Sequence, residues 1–230
     1  MSNTHQKGED GDMSRWQIRI SVLLVLGVAI GQAPLEASTK TAVAVLETLA
    51  VKGRAPKTGY ERSQFGPTWS DVDRNGCDTR NDILYRDLTS KTFKSGTQNC
   101  VVLTGVLIDP YSGEKISFVR GVGSSMDVQI DHVVALSNAW QTGAFKLSYD
   151  KRLAFANDPM NLLAVKGRLN SQKGDGDAAT WLPPRKDIRC AYVAQQIVVK
   201  AKYKLWVTPS EKAAMVALLD KCPGFKAPTN

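Results

Sequence analysis

An α+β fold is predicted for this chain on three observations. Short apolar runs bounded by turn residues cluster in its middle. Apolar residues recur at helical spacing toward both ends. A strand–strand–helix pattern occupies roughly residues 126–184. Extra strands should precede that unit and helices should flank it, and no linker is strong enough to divide residues 38–230 into two domains.

In chain order, residues 38–52 read as a short helix: Ser38 or Thr39 would cap it, and Val43, Leu46, Leu49 and Ala50 line one face. Residues 53–70, rich in Gly, Pro, Lys and Ser, form a loop, followed by an acidic turn segment (71–82) and a short helix near 83–88. Residues 101–107 and 116–119 make a hairpin around Asp109-Pro110-Tyr111-Ser112-Gly113. A third strand spans about 128–134, helical patterns follow at 137–142 and 149–156, and Leu162-Leu163-Ala164-Val165 is a short apolar strand leading into a helix from about Gly167 past Asn170. Residues 187–205 are helical. The last helix starts at Thr208, with Pro209 at its first position and Glu211 three residues after the cap, and runs to about Asp220.

The 230 residues carry a net charge of +8, which favours a polyanionic partner such as nucleic acid or an anionic envelope surface. Near the N-terminus Arg15 and Arg19 precede an uncharged apolar run, residues 21–31, too short to cross a bilayer comfortably. Residues 1–37 are therefore expected to be a signal peptide ending at Ala37, with Met13 a cleaner start than Met1; the alternative is a membrane anchor through residues 20–33. Removing 1–37 takes away three basic and four acidic residues, so the remainder carries +9, and it leaves His132 as the only histidine. Cys77, Cys100, Cys190 and Cys222 form an even set without a C-x-x-C pair, which suits export and structural bridges. Of three connectivities, Cys77–Cys100 with Cys190–Cys222 closes local loops and is expected.

The residues that carry chemistry are Asp131-His132 at the end of one strand, Asn161 opening the next, and Asn170 with Lys173 on the following helix. Phosphodiester hydrolysis needs a group to deprotonate water and a cation to neutralise phosphate and leaving oxygen. The stretches Ile130-Asp131-His132-Val133-Val134-Ala135-Leu136, Asn157-Asp158-Pro159-Met160-Asn161-Leu162-Leu163, Asn170-Ser171-Gln172-Lys173-Gly174-Asp175 and Trp181-Leu182-Pro183-Pro184 resemble the HNH (His-Me finger, ββα-metal) nuclease superfamily. The resemblance is closest to secreted proteins related to the C-terminal nuclease domain of GmrSD restriction enzymes, and runs from about Cys77 to the last helix.

That resemblance implies a ββα-metal catalytic unit in which His132 is the general base, Asp131 and Asn170 bind a divalent metal, and Asn161 orients the histidine loop. Lys173, one turn beyond Asn170, would stabilise phosphate charge. Arg80 would either approach the substrate phosphate or pair with an aspartate. A neutral amide beside one carboxylate suits Mg²⁺, with Mn²⁺ as the alternative, held partly by water and substrate. Residues 137–156 would be a helical insertion in the finger. The implied activity is an extracytoplasmic, monomeric endonuclease acting on DNA with little sequence preference. RNA cleavage by the same site, or an exported nucleic-acid-binding protein without activity, are the alternatives. Asp175 and Asp177 read as solvated turn residues, Trp140 and Trp181 as core, and Lys200 to Lys204 as a solvated helix face.

Overall fold

The computed structural model describes residues 40–229, so the predicted leader and the Ser38 or Thr39 cap lie outside the described residues. The first helix, α1 (Ala42–Leu46), is capped instead by Thr41, whose hydroxyl accepts from the Ala44 amide at 3.2 Å. It is shorter than the apolar spacing predicts because the chain leaves the helix to bond Val207: Val207 N donates to Ala50 O and Lys52 N to Val207 O. Helix α2 (Thr79–Asp87) follows the acidic turn, with the Asp78 carboxylate as its cap.

A three-stranded antiparallel sheet comes next, in the order β1 (Thr89–Phe93), β2 (Val102–Ile108), β3 (Lys115–Val119). Strand β1 is not expected from the sequence; Thr-Ser-Lys-Thr-Phe lies on an open edge and offers no apolar alternation. The β2–β3 turn is built by buried Asp109, which accepts from the Ser112 amide and hydroxyl at 2.8 and 2.6 Å.

A separate antiparallel pair joins β4 (Val128–His132) to β5 (Leu162–Lys166), with Asp131 opposite Leu163 and His132 opposite Leu162. Between them lie α3 (Leu136–Gln141) and α4 (Tyr149–Ala156), which is the expected helical insertion. Helix α5 (Gly167–Lys173) follows β5 and packs on both strands. A Cβ added at Gly167 would come within 1.9 Å of the Met126 carbonyl oxygen, so only glycine lets the strand turn into the helix here. Two C-terminal helices, α6 (Arg189–Lys202) and α7 (Pro209–Leu219), close the chain, α7 with the capping box formed by Thr208 and Glu211.

Strand alternation divides the core. Val128, Ile130, Leu162 and Ala164 face α2 and the three-stranded sheet, while Val165 and Val133, the residue after β4, join the cluster of α1, α6 and α7. The β4–β5 pair is thus packed on both faces, and its end is held in place from two sides. Lys200 corrects one expectation. Rather than sitting on a solvated face, its ammonium is buried, 2.8 Å from the Glu211 carboxylate and 3.1 Å from Trp206 O.

The disulfides are Cys77–Cys100 and Cys190–Cys222, closing separations of 23 and 32 residues. Loops of that size are stabilised by about 3–4 kcal/mol in the chain-entropy account. Replacing Cys190 and Cys222 together by serine should therefore lower the unfolding free energy in urea by about 3 kcal/mol with the fold retained.

Candidate active site

His132 and Asn170 border one cavity of about 510 Å³, together with Asp131, Lys57, Tyr60, Arg62, Trp69, Ser137 and Asp175. His132 ends β4, and its ring is held on two sides. Its Nε2 lies 2.8 Å from the carbonyl oxygen of Ala156, the last residue of α4. A carbonyl only accepts, so Nε2 carries the ring proton and Nδ1 keeps the lone pair. Trp69 stacks on the imidazole, with ring centroids 5.8 Å apart and planes 9° from parallel. Trp69 itself has a left-handed backbone, φ 59°, a costly conformation for a bulky residue that the surrounding packing must hold.

Two effects oppose each other at this ring. The Ala156 carbonyl favours a proton on it, whereas desolvation and the nearby positive charges of Arg62 and Lys173 disfavour one. Desolvation wins, and the pKa is pushed down from 6.5 to about 3. The imidazole is therefore neutral throughout the physiological range, with the Nδ1 lone pair unprotonated.

Asn161 is fully buried and grips the turn after the histidine. Its side-chain oxygen accepts from Val134 N at 2.8 Å, its amide donates to Val134 O at 3.3 Å, and its own carbonyl accepts from Val133 N at 2.8 Å. A turn-forming asparagine after Pro159 would not need all three.

Alternation along β4 sends Asp131 to the opposite face from His132, toward α5. There the carboxylate accepts from Lys173 Nζ at 2.8 Å and from Tyr111 OH at 2.5 Å. Lys173 also donates to the backbone carbonyl of His132 at 2.7 Å, and its side chain is 0% exposed. This corrects the role expected of Lys173: its charge is spent inside the protein and braces the histidine, so it does not face a phosphate. Arg80 is corrected likewise. It donates to Val128 O at 3.3 Å, at the start of β4, and does not line the cavity. The cations that do line it are Lys57 and Arg62, from the loop before α2. The Gly/Pro-rich loop that carries them has no periodicity to mark them.

A metal finds modest provision here. Among the described residues, no three His, Cys, Asp or Glu side chains gather closely enough to hold an ion. Asn170 donates its amide to Gln129 at 2.8 Å, which leaves its carbonyl oxygen as a hard donor on the cavity. Each Asp131 oxygen has accepted one hydrogen bond and has a second lone pair. Such a set fits a hydrated ion of the Mg²⁺ type, which keeps several waters and takes few protein oxygens, rather than a dehydrated one. Of the two turn aspartates expected to be solvated, Asp177 is instead buried and paired with Arg54 at 2.6 Å, whereas Asp175 is exposed and accepts from Ser137 Oγ at 3.1 Å at the cavity edge. Lys57 Nζ lies 3.4 Å away, and together these contacts hold its carboxyl below the ordinary range despite partial burial.

Two measurements check this geometry. Lys173→Met strands a buried carboxylate and should cost about 3–5 kcal/mol in chemical denaturation, with Asp131→Leu in the same chain recovering part of the loss. Because the folded His132 pKa lies below its unfolded value, the unfolded chain takes up the proton first. Stability should therefore fall as pH drops from about 6.5 toward 3, and His132→Gln should flatten that dependence between pH 7 and 5.

The family described as GmrSD restriction endonucleases, C-terminal domain, matches residues 78–218, which span all five strands and the whole cavity wall contributed by β4, α3 and α5. An uncharacterized secreted protein of Arthroderma benhamiae is 37% identical over 187 residues, covering 80% of this chain and 86% of that one. No solved structure matches. The chain belongs to the family of GmrSD restriction endonuclease C-terminal domains.

Proposed function

We propose that this protein is a secreted endonuclease that hydrolyses nucleic-acid phosphodiesters with the help of a divalent cation, with DNA the first substrate. The observation that carries this reading is a neutral imidazole, held at Nε2 by Ala156 O, on the same cavity as Asn170, Arg62 and Lys57. Membership of a restriction-endonuclease family supports the nuclease reading. Export is supported by the two disulfides, by the apolar run at residues 21–31, and by the secreted protein to which the chain is similar. Among the described residues no helix is long and apolar enough to cross a membrane.

In the proposed reaction His132 Nδ1 removes a proton from a water molecule as its oxygen attacks phosphorus. The bond from phosphorus to the leaving oxygen breaks, that oxygen keeps the electron pair, and solvent supplies its proton. Arg62 and Lys57 oppose the negative charge that builds on the phosphoryl oxygens. Asn161 fixes the turn after the base, and Lys173 fixes the base's own carbonyl, so the ring needs little reorganisation when substrate arrives. Asn170 would hold the cation, with Asp131 sharing through its unused lone pairs; the bound ion would neutralise phosphate charge. This takes the finger formed by β4, β5 and α5 as the ββα-metal unit, within a secreted domain of residues 38–230.

Cleavage of plasmid DNA, single-stranded DNA and RNA with Mg²⁺ or Mn²⁺, and again with EDTA, tests the reading. His132→Ala should abolish turnover while keeping the melting transition and both disulfides, and Arg62→Ala should lower kcat roughly 10²–10³-fold. Asn170→Ala should raise the Mg²⁺ concentration needed for half-maximal rate. Turnover retained by His132→Ala, or undiminished in EDTA, would overturn the assignment.

A further inference from the structure

We infer that a second cleft, on the other flank of α5, is a phosphate subsite that binds the substrate strand away from the bond being cut. The inference rests on the nuclease reading for its ligand, and on separate residues for its evidence. The cleft, about 400 Å³, is lined by Ser112, Glu114, Lys166, Arg168, Leu169 and Arg185. Its cations come from three places: Lys166 from the end of β5, Arg168 from the first turn of α5, and Arg185 from the segment between α5 and α6. Like charges gather from separate elements only where something opposes them, and the acids present do so in part. Glu114 sits 2.5 Å from Lys166, and Asp187 takes Arg185 through three contacts of 2.7–3.0 Å. Among the described residues Arg168 is exposed and has no carboxylate partner. The cleft therefore keeps positive charge to spare.

Its walls are also built. Buried Asp109 accepts from Lys166 N at 2.9 Å while forming the β2–β3 turn, so one carboxylate ties both sides together. Arg185 N donates to Tyr111 O at 3.0 Å, and the hydroxyl of that same tyrosine bonds Asp131 beside the base. On α5, Arg168 and Asn170 are two residues apart, roughly 200° around the helix, so one faces each cavity. A single short helix and a single tyrosine thus connect the two sites rigidly. A polynucleotide repeats its charge at every nucleotide, and a strand whose scissile phosphate lies at His132 would have further phosphates to place across α5. A free phosphate ion offers the same chemistry without that spacing, and the experiment separates the two.

Binding of a fluorescent 15-nucleotide single strand is measured by anisotropy over a salt series, in full-length His132→Ala and in His132→Ala with Arg168→Glu. Lys221→Glu in the same background makes an equal charge change outside both cavities. The Arg168 change should weaken binding about tenfold and make the salt slope shallower by about 1, whereas the Lys221 change should leave the slope alone. Inorganic phosphate should compete only at concentrations far above those of the oligonucleotide. Equal effects of the two substitutions, an unchanged slope, or no oligonucleotide binding at all would overturn the subsite. The readout is independent of turnover: a wild-type protein that cleaves nothing sinks the nuclease reading, while a Lys221-like response of Arg168→Glu sinks only this one.

Discussion

One buried ammonium holds the His132 end of the β4–β5 pair together. Lys173 reaches from α5 to the Asp131 carboxylate and to the carbonyl of His132, so the strand bearing His132 and the helix bearing Asn170 are a single piece. A charge withdrawn this completely from water is tolerated only with its counterion and hydrogen bonds in place. The tyrosine on the second carboxylate oxygen completes that requirement and pulls the β2–β3 turn into the same assembly. In the proposed reaction this rigidity has a chemical purpose, since a base that must meet a water molecule within hydrogen-bonding reach gains from being placed before the substrate arrives.

The imidazole shows how the local environment chooses between competing influences. A helix C-terminus is a place where positive charge is normally welcome, and the Ala156 carbonyl pulls in that direction. Packing against Trp69 and the nearby cations pull the other way and prevail. Arg62, one of the two cations that disfavour a protonated ring, also lines the cavity, so in the proposed reaction a bound phosphate would act on the same electrostatic balance as the imidazole.

Much of this was legible in the residues. The 149–156 helix, the short strand at 162 and the Thr208 cap follow from periodicity and capping chemistry, and both disulfides follow from local loop closure. Asp131, His132 and Asn170 could be grouped because their elements alternate in a recognisable strand–strand–helix order. Direction was less readable than position. From the sequence Lys173 is expected to face a phosphate and Lys200 to face solvent, because a lysine in a helix usually keeps its charge at the surface, and only tertiary contacts reveal that each meets a buried carboxylate. Strand β1 escaped notice because an edge strand of polar residues has no apolar period, and Arg62 because a loop's side-chain directions are set by the packing around it.

The contact between His132 and Ala156 gives the insertion a duty that no motif could display. What holds the ring is a main-chain oxygen at the end of α4, one of the last-turn carbonyls that a helix leaves without an internal partner. Any residue type supplies such an oxygen; what matters is where along the screw of the helix it falls. Adding or deleting one residue within α4 would swing that oxygen about 100° around the helix axis and release the ring, although every side chain of the HNH pattern would still be present. The phase of an otherwise unremarkable helix is therefore part of the site.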